Sequence, residues 1–349
     1  MTIYYILYFN LFMLSLLSFF TVKALNKYVL MAVVLILTLL AGIRDGTGTD
    51  FYTYLGLWDA ATSIFDGLDY GYKYFEPGFR VLVSILKIFS NSQLLFYTFF
   101  AAVPLVFLYK ALVKYRINYY VGIFIYVNVF YLAYVFNGMG QAIIISVFLY
   151  YFDDFLNLKT IRIFIISIFF VFIHKSAVLI LIAYIMYYLC IRLKNEILLL
   201  VGCILGIISY KIHLVAMILN LISPELAYTY TQVFSETTSV FQLITRTMIL
   251  MILYWFGKQL NGDVFYRNCL KIYIIGYILY IVFYDYNALA TRVNMLYRSV
   301  EILMFSYAIL HTKNLFTRIS IFLVIALIYG YSFFKVIYLD DFYYHSVLW

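Results

Sequence analysis

Residues 28–43 read Tyr-Val-Leu-Met-Ala-Val-Val-Leu-Ile-Leu-Thr-Leu-Leu-Ala-Gly-Ile, and residues 44–54 read Arg-Asp-Gly-Thr-Gly-Thr-Asp-Phe-Tyr-Thr-Tyr. The first run carries no charge and suits a helix dissolved in a bilayer. The second opens on Arg44, a permanent cation with a fork of donors, and adds the carboxylates Asp45 and Asp50. Gly46 and Gly48 permit a tight turn whose N–H groups can face an anion. Thr49 can cap a helix beginning at Asp50. That helix would place Phe51, Tyr54, Leu55 and Trp58 on one face, at spacings of three and four. Alone, the stretch reads either as a Gly-rich turn capping an interfacial helix or as a polar site at a membrane surface.

The rest of the chain repeats the contrast. Of 349 residues, 66% are hydrophobic and 11% are charged, which excludes a soluble globular domain. The sequence predicts an all-α, polytopic integral membrane bundle, one domain over 1–349, with about 12 transmembrane helices. Apolar runs fall near 3–22, 28–43, 94–113, 118–136, 139–152, 161–173, 177–191, 196–211, 243–257, 268–284, 289–310 and 319–338. The first has no basic residue before it and no small-residue cleavage site after it, so it reads as a retained span. Segment 77–90 is apolar but short, holds Arg80 and Lys87, and either crosses or re-enters. Cys190, Cys203 and Cys269 sit in apolar runs and make no disulfide framework. The net charge of +8 comes from scattered basic residues, which argues against a nucleic-acid partner. No internal repeat, metal-ligand spacing or phosphate-binding Gly-rich loop occurs, so neither metal nor cofactor is expected.

Lys and Arg bias orients the chain. Lys23 and Lys27; Lys110, Lys114 and Arg116; Lys159 and Arg162; Arg192 and Lys194; Lys258, Arg267 and Lys271; and Lys313 and Arg318 all fall on one side if 77–90 does not cross. That side is expected to be cytoplasmic. The opposite side then holds loops of about 44–76 and 212–242, the tips 137–141 and 174–176, and the tail. Loop 44–76 carries Asp45, Asp50, Asp59, Asp66, Asp69 and Glu76 against Arg44 and Lys73, as an external loop should.

The polar residues hardest to explain as structure gather on that external side, where polar groups at membrane depth are functional candidates. Segment 289–310 contains Arg292, Asn294, Arg298 and Glu301. Arg298 and Glu301 can pair at i,i+3 to fix packing. Arg292 lies on a different side of that helix with no obvious local partner, and two guanidiniums in a vestibule suit a phosphate. His174-Lys175-Ser176 is a polar hairpin tip or a proton-transfer site; His is one of only four. Glu76, ahead of Pro77 and Gly78, is a first-turn acid or a catalytic carboxylate. Asn137-Gly138-Met139-Gly140-Gln141 is a further external tip.

Assembled, these pieces resemble the EpsG/Wzy-like family of O-antigen and exopolysaccharide polymerases. The resemblance rests on Arg-x-Gly-x-Gly-Thr-Asp-aromatic-x-x-Tyr at 44–54, Glu-Pro-Gly-Phe at 76–79, Asn-x-x-x-Gln-Ala at 137–142, His-Lys-Ser-Ala at 174–177 and the Arg-bearing helix at 292–298. The family usually has Arg just before the Gln of the third piece; here that place is Gly140. The resemblance implies a GT-C-like membrane glycosyltransferase with short periplasmic helices. It would sit in the bacterial inner membrane with its site facing the periplasm. Its substrates would be undecaprenyl-pyrophosphate-linked oligosaccharide repeat units, with membrane lipid and a chain-length regulator protein as partners. Arg44, Lys175, Arg292 and Arg298 are then candidates for the pyrophosphate, and Asp45, Tyr54 and Gln141 for substrate contacts. His174, Asp50 and Glu76 are candidates for the base, with His174 first because its intrinsic pKa suits proton transfer and Lys175 would keep it neutral. An O-antigen ligase-like enzyme would use similar chemistry. A flippase or transporter would be expected to show a repeat.

Overall fold

In lipid a backbone must satisfy its own polar groups, and an uncharged apolar run does so as a helix. The structure, a computed structural model, describes residues 1–20, 26–61, 75–233, 236–260 and 262–347. Within these the twelve apolar runs are helical over most of their length. Lys23, Asp66, Asp69 and Lys73 lie outside the described residues. The helices Gln93–Lys114, Asn195–Ile212, Val240–Gln259, Val264–Val282 and Leu315–Ile337 are each long and apolar enough to cross a membrane. In the most apolar stretch of Asn195–Ile212 only 22% of residues are buried. A helix apolar on nearly every side and so little covered by protein belongs in lipid.

Segment 77–90 forms the helix Pro77–Phe89, with Pro77 in its first turn. Thirteen residues span about 20 Å, short of a hydrocarbon core of about 30 Å. Its buried residues are Phe79, Arg80, Val83, Ser84 and Leu86, while Ile88 and Phe89 are exposed. The stretch 212–242, read as a loop, is largely helical, with Leu214–Ile222, Pro224–Tyr228 and a π-helical turn at Thr229–Val233.

The chain divides into two compact units, Met1–Ile180 with Phe305–Trp349, and Leu181–Met304. In the first, Gln93–Lys114 packs between Lys27–Gly42 and Met139–Tyr150. The helix Tyr119–Tyr126 continues as a π-helical stretch, Val127–Val135, against Leu315–Ile337. In the second, Asn195–Ile212 and Val240–Gln259 both pack on Val264–Val282. Gly202 and Gly206 allow the first of these contacts: a Cβ there would lie 2.3 Å from Ile278 and 2.3 Å from Ile281 respectively. Small residues four apart let helices approach closely where lipid provides no hydrophobic drive. Lys271, counted among the basic connections, is instead buried within Val264–Val282. Its amine donates to the carbonyls of Cys190, Ile191 and Leu193 at the end of Val178–Cys190.

Candidate functional site

The helix after the Gly-rich turn runs Phe51–Ala60 and buries Phe51, Tyr54, Leu57 and Trp58; Leu55 is half-buried. The expected Thr49 cap does not form. The helix starts one residue later, Asp50 holds the capping position without a side-chain bond, and the Thr49 hydroxyl points to the Asp50 carboxylate at 3.4 Å. The buried face joins Phe79, Val83, Phe96, Tyr97, Phe100, Met139 and Ile143 in one core.

That core draws four of the polar pieces to the junction between Val127–Val135 and Met139–Tyr150. Arg44 reaches it first. Its side chain is 0% exposed, with Nη1 donating to Val135 O at 3.2 Å and Nη2 to Phe136 O at 3.0 Å. The guanidinium lies 4.7 Å from the Tyr97 ring centre and 4.5 Å from that of Phe136. Among the described residues no carboxylate pairs with it. Burial pushes its pKa down to about 10, so it remains a cation at neutral pH. Its donors serve the end of the π-helical stretch rather than an exposed anion.

Tyr54 holds the other side of the junction. Its hydroxyl accepts the Met139 N–H at 3.1 Å and the residue is 6% exposed, so it fixes the start of a helix rather than facing a groove. Phe75 and Phe79 lie against its ring, at centroid distances of 5.3 and 5.9 Å. The Glu-Pro-Gly piece thereby meets the histidine tip: Gly78 N donates to Phe172 O at 2.8 Å, and Lys175 N donates to Glu76 Oε1 at 2.9 Å. His174 caps the turn Lys175–Ala177, its Nδ1 accepting from Ser176 N at 3.1 Å. Its ring also fills the space above Gly140, where a Cβ would lie 2.5 Å from His174 Cδ2. The space that a side chain at position 140 would take is thus occupied by an imidazole. Gln141 follows half-buried in the same first turn; Asp45, Asp50 and Lys175 are exposed.

The C-terminal segment fastens the Gly-rich turn from the other side, a contact nothing in the sequence announced. Arg44–Asp45 pairs antiparallel with His345–Ser346. Gly48 N donates to Asp341 O at 2.7 Å, and Val347 N to Ile43 O at 2.9 Å. The Thr47 hydroxyl donates to Tyr343 O and accepts from His345 N, each at 3.2 Å. Removal of residues 340–349 is therefore expected to leave the helices folded but release the turn. Amide hydrogen exchange over residues 44–50 should then rise sharply while the helices stay protected. Unchanged exchange there would show that the strap holds nothing.

Arg292 and Arg298 belong to the second unit. Arg298 Nε lies 3.6 Å from Glu301 Oε2, the expected i,i+3 pair. Arg246, overlooked inside the apolar run 243–257, lies 3.5 Å from Glu301 Oε1, and the Tyr273 hydroxyl donates to that oxygen at 2.9 Å. A lone Arg in an apolar run was the signal for it. Arg292 has a partner that local spacing could not supply: its Nη1 donates to the Tyr230 hydroxyl at 3.0 Å.

The arrangement defines a class: a polytopic α-helical membrane protein in which short polar motifs from four separate segments converge at one helix junction. A model of the EpsG family matches residues 27–348, and the chain belongs to that family. No curated protein and no solved structure matches it.

Proposed function

We propose that this protein is a polysaccharide polymerase of the bacterial envelope, a GT-C-like glycosyltransferase crossing the inner membrane about twelve times with its site toward the periplasm. It transfers a growing glycan from undecaprenyl pyrophosphate to a hydroxyl of the next lipid-linked repeat unit. The observation that carries this reading is the convergence of 44–54, 76–79, 137–142 and 174–177 around one junction, within a chain of the EpsG family. In the reaction the acceptor oxygen bonds to the anomeric carbon. The bond from that carbon to the pyrophosphate breaks, and the leaving group takes the electron pair. Lys175 supplies an exposed cation for that charge. Arg292 and Arg298 are proposed as substrate contacts of the second. The acceptor proton passes to one of three gathered groups, His174, Asp50 or Glu76.

The test is chain elongation by the purified protein on lipid-linked repeat units, together with the lipopolysaccharide of a strain lacking it. A polymerase yields a ladder in the first assay and a single repeat unit on the core in the second. No ladder in vitro, with no repeat unit on the core, points to a ligase or a flippase and overturns the proposal.

A further inference from the structure

In the second unit, Asn195–Ile212 and Val240–Gln259 both pack on Val264–Val282 and leave a cleft between them. Its walls are Leu199 from the first helix and Leu250, Met251, Tyr254, Trp255 and Lys258 from the second. Those five recur at spacings of three and four, so they form one face of Val240–Gln259. Four are apolar or aromatic, and Lys258 closes the strip in the last turn of the helix. Met251 is 58% exposed and Trp255 42%. In the most apolar stretch of each helix only 22% of residues are buried, so the cleft opens on lipid. At the Lys258 end the Tyr254 hydroxyl donates to Glu196 Oε1 and joins the two helices. The Lys258 amine lies 5.3 Å from the Tyr254 ring centre, and among the described residues no carboxylate is within ion-pair distance of it. Lys194 and Lys258 both act electrostatically on Glu196, so two lysines stand against one carboxylate and this end is positive.

The cleft has a volume of about 290 Å³. One 5.4 Å turn of a helix about 10 Å across fills roughly 400 Å³, so no further helix fits, whereas a single hydrocarbon chain does. A chain alone would have no use for the cation. Aromatic residues at the end of a span sit at headgroup level, and a lysine there attracts anionic lipid. We propose that this cleft binds one anionic phospholipid, its phosphate on the Lys258 amine and one acyl chain along Leu199, Leu250 and Met251. Trp255 lies where headgroup meets chain. The site is independent of the polymerase reaction. Its occupant links two spans beside the Tyr254–Glu196 bond.

Trp255 reports occupancy of the cleft directly. Phosphatidylglycerol and phosphatidylcholine, each with brominated acyl chains, are titrated into the purified full chain in detergent at constant ionic strength. Bromine quenches a tryptophan that it touches, and the quenching lost in Trp255→Phe belongs to the cleft. Phosphatidylglycerol is expected to quench Trp255 at about fivefold lower concentration than phosphatidylcholine, the effect of one lysine near an anionic headgroup. Lys258→Gln should erase this preference and Lys258→Arg should keep it. Lys110→Gln, at an exposed lysine of the first unit, should leave it unchanged. Thermal melting is the folding control; Lys258 and Lys110 are both exposed, so these variants should melt like wild type. Equal quenching by the two lipids in wild type overturns the proposal, as does a preference that survives Lys258→Gln. A preference lost equally in Lys110→Gln would make it a general effect of positive charge and overturns the site. Reversal of the phosphatidylglycerol quenching by inorganic phosphate would make Lys258 part of a free-anion site, and overturns it as well.

Discussion

Arg44→Met is expected to fold poorly, and Arg44→Lys to recover only part of the loss. The guanidinium is 0% exposed and serves the carbonyls of Val135 and Phe136 from two nitrogens. Removing it leaves two buried acceptors without donors, at about 1–3 kcal/mol each. The two ring contacts with Tyr97 and Phe136 are lost as well, each worth about 0.5–2 kcal/mol. An ammonium restores the charge but is a compact point rather than a planar fork, so it cannot span both carbonyls and stack between both rings. The loss appears first as a lower melting temperature and lower yield in detergent. In the fraction of Arg44→Lys that does fold, elongation should fall through kcat with the substrate KM unchanged, because Arg44 is sealed from the surface. A raised KM with normal melting would mean that Arg44 touches the pyrophosphate after all.

Much of the architecture was legible because hydropathy is a local property. The apolar runs mark the helices to within a few residues, and Phe51, Tyr54 and Trp58 at spacings of three and four mark the buried face of Phe51–Ala60. The motif set was legible for another reason: residue types that are costly in a membrane were present without a structural excuse. What stayed hidden depends on distant pairings. Arg44 reads as a ligand cation until its acceptors, some ninety residues away at the end of a π-helical stretch, are known. The imidazole cap of His174 is a three-residue contact, but the packing of its ring over Gly140 joins residues more than thirty positions apart. Pairing of Arg44–Asp45 with His345–Ser346 leaves no periodic trace in strands two residues long. Hydropathy also carries no mark of the division at Ile180 and Phe305, since the helices Val178–Cys190 and Asn287–His311 run straight through it.

Glu301→Ala is expected to be the most damaging single change in the second unit, and a compensated double change should reveal what Arg298 is for. Glu301 is 0% exposed, and its two oxygens face Arg246 Nη1 at 3.5 Å, Arg298 Nε at 3.6 Å and the Tyr273 hydroxyl at 2.9 Å. The arginine side chains are themselves only 12% and 21% exposed. Deleting the carboxylate leaves two poorly solvated cations without their shared anion, which costs about 3–5 kcal/mol. Changing Arg298→Met together with Glu301→Gln removes one positive and one negative charge, so the sum over the three groups is unchanged. The amide oxygen can still accept from Arg246 and Tyr273, and the methionine fills space without demanding a partner. Melting temperature and expression of the double variant should therefore return close to wild type. If Arg298 exists to fix packing, elongation returns with them. If it holds an anionic part of the substrate, as proposed, the folded double variant stays about 10²-fold or more below wild type. Full elongation in the double variant removes Arg298 from the substrate contacts and leaves it as the structural partner of Glu301.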